Sequence, residues 1–151
     1  MIPVEPIGIV RSPVTQTEVD EGWGAVESEL VLAAPLAPGL AGLETFSHAI
    51  VVFWMTHAFD PPRDLVRRPR GREDMPLLGI FAQRGKQRPN SIGVSVVEVL
   101  GVDGRVVRVR GLDAIDGTPI LDLKPYVPVF DRATGARIPE WMDRLMERYF
   151  S

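Results

Sequence analysis

The sequence contains no cysteine and only two histidines, His48 and His57. Without cysteine the chain can form no disulfide framework and no thiolate metal site, and it has no cysteine nucleophile. Two histidines alone also argue against a zinc site. No apolar run approaches the ~20 residues of a membrane-spanning helix, and no basic segment followed by a long apolar one marks the amino terminus. We therefore expect a cytoplasmic protein that binds neither a metal nor a membrane.

Several catalytic and nucleotide-binding motifs are missing as well. The chain has no GxGxxG after a strand, no P-loop, no GxSxG and no HExxH, so the common nucleotide-binding folds and the usual hydrolase and metalloprotease sites gain no support. The formal net charge of −3 argues against a wholly basic surface that coats nucleic acid, although it permits a local basic patch.

The composition indicates one globular domain with many turns. The 151 residues include 14 glycines and 14 prolines, and 45% of the chain is hydrophobic. A chain of this length can bury about two-thirds of its unfolded surface around one core. Its glycines and prolines favour short elements. We expect residues 1–151 to form a single domain.

The apolar pattern has mostly a period of two, which indicates β-strands. Apolar and acidic side chains alternate in residues 25–32, as in a half-buried strand. Residues 49–55 are continuously apolar and rich in β-branched and aromatic side chains, so we predict a fully buried strand there. The pair Asp103-Gly104 supplies the positive φ that a tight hairpin between two further strands demands. The predicted strands are 25–32, 49–55, 92–100, 105–112 and 119–126.

Only at the carboxy-terminal end does the spacing of apolar residues change, from that of a strand to that of a helix. Trp141, Leu145 and Tyr149 are spaced at i, i+4 and i+8, which is the spacing of one helical face, and Pro139 suits a first helical position. We predict a short helix over residues 139–150. The predicted fold class is therefore mainly β, with one terminal helix.

The segment 59–76 combines prolines with five arginines, namely Arg63, Arg67, Arg68, Arg70 and Arg72. The prolines argue against a regular strand, and little in the segment is aliphatic enough to bury. Two interpretations stay open. The segment is a solvated surface loop, or its arginines contact phosphate through charge and forked hydrogen bonds.

Four polar clusters carry the candidate chemistry, at residues 8–13, 42–48, 83–93 and 112–128. In the last cluster Asp113 and Asp116 lie on either side of a turn, where they could accept hydrogen bonds from ribose hydroxyls or an amine. Lys124 and Tyr126 lie two residues apart on one face of the next strand. Plainer interpretations exist: Asp116-Gly117 is only a turn, and His48 is a buried, hydrogen-bonded residue.

Together the four clusters resemble the TsaA-like family, also called YaeB-like or TrmO-like. The resemblance extends over about residues 5–131, through the motifs Arg11-Ser12-Pro13, 42–48, 81–93 and 113–128. It implies a small β-barrel that binds S-adenosylmethionine without a Rossmann fold, as a homodimer with the cofactor near the subunit interface. The best-described members methylate N6 of threonylcarbamoyladenosine at position 37 of tRNA, so the resemblance implies this reaction, with tRNA as a partner.

The resemblance also implies a set of cofactor contacts. Arg84 is expected to bind an anionic group of the cofactor or substrate, because a guanidinium matches a carboxylate bidentately. Arg88 and Asn90 are expected to fix their loop and line the pocket. Residues 113–117 resemble the family's cofactor loop, and Thr56 and His57 are further pocket candidates by their position at the exit of the buried strand. The full expected set is Arg84, Arg88, Asn90, Val94, Thr56, His57, Asp113, Ala114, Ile115, Asp116 and Gly117.

Methyl transfer is an in-line displacement, so positioning supplies most of the catalysis. An N6 nitrogen that carries an acyl-type substituent must also lose its proton. The candidate bases, in no fixed order, are Tyr126, Asp116 and His48. The candidate substrate contacts are Arg67, Arg68, Arg70, Lys86 and Lys124.

Two other classes of function stay open. One is a barrel that holds S-adenosylmethionine or another nucleotide as a sensed ligand without turnover. The other is an RNA-binding barrel in which the basic loop and exposed aromatics grip a single strand. A methyltransferase of this kind could also act on a different RNA or on a small molecule, since the longer bacterial enzymes of the family carry a carboxy-terminal extension that this sequence does not include.

Overall fold

A computed structural model describes residues 1–55 and 64–151 of the chain. Within these ranges, short strands and helices alternate with 3-10 turns. The strands are β1 (Gly8–Arg11), β2 (Glu27–Leu32), β3 (His48–Trp54), β4 (Val66–Arg67), β5 (Leu78–Gly79), β6 (Ile92–Asp103), β7 (Val106–Arg110) and β8 (Pro119–Pro125), and the helices are α1 (Pro128–Asp131) and α2 (Glu140–Met146).

Six of the strands close into one antiparallel barrel in the order β1-β2-β7-β6-β3-β8. The ring is completed where β1 pairs with β8, through Gly8↔Ile120 and Ile9↔Pro119, while β4 and β5 form a separate two-stranded ribbon. The prediction of a mainly β fold, with a small barrel and a short terminal helix, is confirmed. Among the residues described, no helix is long and apolar enough to cross a membrane.

The barrel core is built from alternate residues of each strand. In β2, Leu30 and Leu32 are buried, as the period of two predicts. In β3 the burial also alternates: Ala49, Val51 and Phe53 are buried, while the residues between them are only partly covered or exposed. The prediction of a fully buried β3 is wrong, because a barrel of antiparallel strands covers only the inner face of each strand.

The predicted hairpin is formed by β6 and β7, but its turn lies one residue later than expected. Asp103 still pairs with Val106, so the two loop residues are Gly104 and Arg105, and Gly104 has φ 60°. A glycine with positive φ at the first central position suits a type II′ turn, which matches the twist of the hairpin. Asp103 therefore ends the strand and does not itself need positive φ.

The Arg-rich segment contains a short strand, contrary to the prediction. β4 pairs with β5 through Val66↔Gly79 and Arg67↔Leu78, and a 3-10 turn follows at Pro69–Gly71. The prolines do not exclude this strand because they precede or follow β4 and none lies within it. Residues 59–63 of the segment lie outside the described ranges.

The carboxy-terminal helix is shorter than predicted. α2 ends at Met146, and Pro139 precedes it as an extended N-cap residue instead of occupying the first turn. Leu145 is buried, as the helical spacing indicates. Tyr149 lies beyond the helix, in a segment whose backbone pairs with residues 22–24. Local spacing cannot reveal this pairing because the partner segment is distant in sequence.

The one-turn helix α1 is not predicted by the apolar pattern. Its first residue is Pro128, which fits the N-terminal turn because its missing N–H would have no helical partner there. The Val127 backbone N–H donates to Asp131 Oδ2 at 2.8 Å, and this bond closes the turn.

Candidate active site

The segment 83–93 is held in place by its own cations. Arg88 Nη1 donates to the carbonyl oxygens of Gln83 (2.9 Å) and Gly85 (3.1 Å), which ties the loop to itself. Arg84 Nη2 donates to Val94 O at 2.9 Å, and Lys86 Nζ donates to Thr17 O at 3.2 Å. The arginines and the lysine therefore order a loop that leads directly into β6.

Asn90 lies two residues before β6, and Val94 is the third residue of that strand. The Asn90 carbonyl accepts a hydrogen bond from Ile92 N at 2.8 Å. Val94 pairs with Val52 of β3, and its side chain is 45% exposed on the outer face of the barrel. An apolar surface is thus available beside the Arg84 guanidinium.

Asp113, which follows β7, is bound by two hydroxyl groups. Ser95 Oγ donates to one carboxylate oxygen and Tyr149 Oη donates to the other. Burial raises the pKa of Tyr149 above its ordinary value, and the charge of Asp113 and the hydrogen bond to it act in the same direction. The positive charges of Arg70 and Arg84 oppose this shift. The phenol is therefore a donor at neutral pH, and two cations lie in the same neighbourhood.

The loop 113–117 is tied to the first strand and to the Arg11-Ser12-Pro13 motif. Gly117, with φ 82°, donates its N–H to Val10 O at 2.8 Å, and Asp116 N donates to Val14 O at 2.8 Å. In return, Ser12 N donates to Asp116 Oδ1 at 3.0 Å. The side chain of Ala114 is buried, whereas Ile115 is partly exposed. These bonds give the loop one defined path.

A cleft of about 330 Å³ opens beside Asp116. Its lining includes Arg11, Glu29 and Arg108, and Arg11 forms an ion pair with Glu29 at 3.6 Å. Ser28 also lines the cleft, but its Oγ is buried and has no hydrogen-bond partner among the described residues. The cleft therefore offers charges of both signs.

His48, the first residue of β3, and Tyr126 form a second polar group. Tyr126 directly follows β8, which ends one residue earlier than the sequence predicts. Their rings are 6.2 Å apart in an edge-on arrangement, and Tyr126 N donates to His48 O at 3.0 Å. His48 Nδ1 is 2.7 Å from Ser47 Oγ. His48 is exposed, so its interpretation as a buried residue is wrong. The structure brings two of the three candidate bases, His48 and Tyr126, together. The third, Asp116, is instead bonded to Ser12.

The candidate substrate cations all have intrachain partners. Arg67 donates to the side chain and backbone of Gln87, and Arg68 donates to Met75 O. Arg70 Nη1 lies 3.6 Å from Asp20 Oδ2, and its guanidinium lies 5.8 Å from the centre of the Tyr149 ring. Lys124 pairs with Asp122 at 2.8 Å, and the hydrogen bond to Asp122 raises the pKa of Lys124. Of the remaining predicted contacts, Thr56 and His57 lie outside the described residues.

Three polar residues of the site escape the sequence prediction. Ser12 belongs to a motif that is visible in the sequence, so its role in holding Asp116 could be inferred. Tyr149 fits the helical spacing, which indicates a core position instead of a partner for Asp113. Ser95 lies in an alternating strand and carries no signal of its own. No group of three acidic or histidine side chains that could hold a metal ion occurs in residues 1–55 and 64–151.

Comparison with known proteins shows the family to which the chain belongs. A model described as the tRNA-methyltransferase O N-terminal domain matches residues 13–132. A protein of Methanothermobacter thermautotrophicus, named probable S-adenosyl-L-methionine-binding protein, is 37% identical over 134 residues, which are 86% of this chain and 93% of that protein. The tRNA (adenine(37)-N6)-methyltransferase of Escherichia coli K12 is 40% identical over 135 residues, which are 82% of this chain and 57% of the relative.

A solved structure has the same architecture. The crystal structure of TrmO from Pseudomonas aeruginosa matches with a TM-score of 0.75 at 35% identity, and the match covers 91% of this chain and 61% of that chain. The present chain thus spans nearly all of the archaeal relative and less than two-thirds of the two bacterial proteins. The family resemblance of the four motifs is confirmed, and the chain belongs to the family of the tRNA-methyltransferase O N-terminal domain.

Proposed function

We propose that this chain is an S-adenosylmethionine-dependent methyltransferase that modifies N6 of threonylcarbamoyladenosine at position 37 of tRNA. The observation that carries the proposal is the placement of a carboxylate and a guanidinium at neighbouring residues of β6. The Asp113 carboxylate accepts hydrogen bonds from Ser95 Oγ and Tyr149 Oη, and Arg84 is anchored to the carbonyl of Val94, the residue before Ser95. The reaction class is supported by the Escherichia coli relative, which is named a tRNA (adenine(37)-N6)-methyltransferase.

The residues present fit the chemistry of the cofactor. S-adenosylmethionine carries a carboxylate, an ammonium, a sulfonium, a ribose diol and an adenine, so its site needs a cation, carboxylates and an apolar surface. Arg84 supplies the cation, and Asp113 and Asp116 supply the carboxylates. Val94 supplies apolar surface next to Arg84. The backbone groups of 114–117 complete the set on a loop that is already fixed by hydrogen bonds.

When bound, the cofactor supplies an electrophilic methyl group, which a nitrogen nucleophile accepts as the carbon–sulfur bond breaks and the nitrogen loses its proton. The residues of this chain hold the reactants in line at roughly 3 Å and receive the proton directly or through water. Asp116 is the candidate acceptor beside the cleft. His48 and Tyr126 are the candidate acceptors of the second polar group. The identity of the acceptor stays a prediction among these three residues.

We also propose that the chain forms a homodimer through the outer faces of β3 and β6. Ile92, Val94 and Val96 are 41–48% exposed on β6, and they pair with Trp54, Val52 and Ile50 of β3, which are only partly buried. The closed barrel has no strand edges, so an interface formed by the barrel itself uses a face. Because Val94 belongs to this face, a second subunit would lie against the proposed cofactor site.

Contact with tRNA is assigned to cations outside the cofactor site. Arg67, Arg68 and Arg70 lie on and after β4, and Lys86 lies in the neighbouring loop, to which Arg67 is bonded through Gln87. A phosphate is a stronger acceptor for a guanidinium than a neutral carbonyl or amide oxygen. The existing contacts of Arg67 and Arg68 are of this neutral kind, so phosphates can replace them.

The test combines a binding measurement with a transfer assay. The chain is titrated with S-adenosylhomocysteine by calorimetry, and it is incubated with methyl-labelled cofactor and tRNA that carries unmethylated threonylcarbamoyladenosine. We expect binding and transfer of label, with no transfer to tRNA whose position 37 is plain adenosine. Binding without transfer would indicate a sensed ligand, whereas RNA binding without cofactor binding would indicate an RNA-binding barrel. Either result would overturn the proposal.

A further inference from the structure

The last residues of the chain are fixed beside the proposed cofactor site by backbone hydrogen bonds. Three successive N–H groups, of Gly22, Trp23 and Gly24, donate to the carbonyl oxygens of Arg148 (3.1 Å), Tyr149 (2.9 Å) and Phe150 (2.8 Å). The contact is close, because a Cβ on Gly24 would lie 2.2 Å from Phe150 O. The position of Tyr149 is therefore set by the backbone on both sides of it.

From this position Tyr149 reaches the Asp113 carboxylate, whose side-chain partners among the described residues are neutral hydroxyl groups. Both oxygens of Asp113 accept hydrogen bonds from hydroxyl groups, those of Ser95 and Tyr149. No ion pair of Asp113 occurs among the described residues, whereas Asp74 and Asp122 each pair with a cation. Neutral donors leave the negative charge of the carboxylate in place, and each oxygen keeps a further lone pair.

The surroundings of Asp113 favour a cationic ligand group over a neutral one. A carboxylate without an ion pair gains most from a charged donor, since charge-assisted hydrogen bonds are about twice as strong as neutral ones. Arg84 contributes positive charge to the same neighbourhood. Arg84 is anchored to the carbonyl of Val94, next to Ser95, which binds Asp113, so the guanidinium and the carboxylate are held by adjacent residues and match the carboxylate and ammonium of an α-amino acid.

We propose that Tyr149 is a positioning residue that, together with Ser95, orients the Asp113 carboxylate to accept a hydrogen bond from the α-ammonium of S-adenosylmethionine. The inference rests on the proposed function, because it requires that the chain binds this cofactor. Tyr149 acts through Asp113 and touches neither the methyl group nor the acceptor. Burial keeps its hydroxyl protonated, so it remains a donor at neutral pH.

The experiment compares two ligands that differ in the amino-acid moiety. S-adenosylhomocysteine carries the α-ammonium and the α-carboxylate, whereas 5′-methylthioadenosine carries neither. Tyr149→Phe should weaken the binding of S-adenosylhomocysteine about threefold to tenfold, as expected for an indirect loss of one charge-assisted hydrogen bond. It should leave the affinity for 5′-methylthioadenosine unchanged. Calorimetry on the whole chain measures both affinities.

A second variant and a matched control separate orientation from damage to the fold. Ser95→Ala removes the other hydroxyl donor from the barrel side and should produce the same selective loss. Phe150→Leu alters the ring that packs edge-on against Tyr149 at 4.9 Å but keeps the phenol, so it should leave both affinities unchanged. Thermal unfolding, followed by tryptophan fluorescence, confirms that each variant is folded.

The outcomes are distinguishable. If wild type binds neither ligand, the proposed function fails and the inference fails with it. If wild type binds S-adenosylhomocysteine but the two hydroxyl variants bind it equally well, the proposed function stands and the role of Tyr149 is refuted. If both ligands weaken together in Tyr149→Phe, the residue supports the pocket as a whole, and its action through the ammonium is likewise refuted.

Discussion

Replacing Tyr149 by phenylalanine should remove a defined part of the loss of stability at alkaline pH. Burial raises the pKa of Tyr149 above its ordinary value, with Asp113 adding to the shift and Arg70 and Arg84 opposing it. The ordinary value of a tyrosine is about 10. The phenol therefore stays protonated in the folded protein at pH values at which it already ionises in the unfolded chain.

The size of the effect follows from proton linkage. Above about pH 10 the unfolded state binds fewer protons at this residue than the folded state, so the free energy of unfolding falls as the pH rises. A residue that ionises only in the unfolded state has lowered this free energy by about 1.4 kcal/mol in total once the pH is one unit above its ordinary pKa. The contribution is fully present below about pH 10 and is lost progressively above it.

Denaturant unfolding of wild type and Tyr149→Phe, followed by tryptophan fluorescence from about pH 8 to about pH 11, measures this difference. Other alkaline groups titrate in both proteins and cancel. The chain has two tyrosines, so Tyr126→Phe leaves Tyr149 as the only phenol, and its tyrosinate absorbance reports the ionisation directly. Equal dependence of stability on pH in wild type and Tyr149→Phe would refute the buried, hydrogen-bonded phenol.

Four further changes test the core, the site, the assembly and the RNA contact. Gly93→Ala places a Cβ 2.5 Å from two ring carbons of the buried Phe53 and should lower the free energy of unfolding by about 1–3 kcal/mol. The control is Gly39→Ala, whose Cβ meets nothing within 4 Å. Equal denaturant midpoints for the two variants would contradict the packing of Gly93 against Phe53. Arg84→Ala should weaken binding of S-adenosylhomocysteine by about 1.5–3 kcal/mol. The control Arg105→Ala, in the β6–β7 turn, should leave this binding unchanged. If calorimetry gives the same affinity for both variants, the Arg84 contact is excluded. Val96→Asp puts a charge in the exposed face of β6 and should give monomers in sedimentation at concentrations at which wild type is dimeric, while a monomeric wild type would rule out this interface. Replacing Arg67 and Arg68 by glutamine should reduce the slope of log affinity for RNA against log salt concentration by about 0.7 for each single-strand phosphate that is no longer bound. Arg70 is kept because it lies over Tyr149. An unchanged slope would show that phosphates are held elsewhere.

The parts of the fold that depend on neighbouring residues could be predicted from the sequence. The β6–β7 hairpin follows from alternating apolar residues around a glycine, and the glycine indeed takes positive φ. The buried face of β2 follows from its period of two. Rules based on neighbouring residues fail where contacts with a distant segment of the chain determine the structure. The outer face of β3 is apolar yet only partly covered, and no property of residues 49–55 alone shows that a barrel closes around one side of them.

The candidate site shows the same division. Asp113, Asp116 and Arg84 could be proposed because the family motifs contain them, although their roles are still predictions. The sequence could not show that Tyr149 reaches Asp113, since the hydrogen bonds that fix Tyr149 come from residues 22–24, far away in the chain. The spacing of Tyr149 behind Trp141 and Leu145 favours a continuous helix, and tertiary pairing of the backbone overrides that preference.

The charges of the proposed cofactor site are held by neutral groups instead of by each other, and this explains how a small barrel can present them. Arg84 is anchored by the carbonyl of Val94, and Asp116 by the backbone N–H of Ser12. Both anchors belong to strands of the closed barrel or to the residues that directly follow them. Neutral partners fix the direction of a charged side chain without cancelling its charge, whereas an ion pair would do both. The unused attraction remains for a ligand with charges of both signs, such as an α-amino acid.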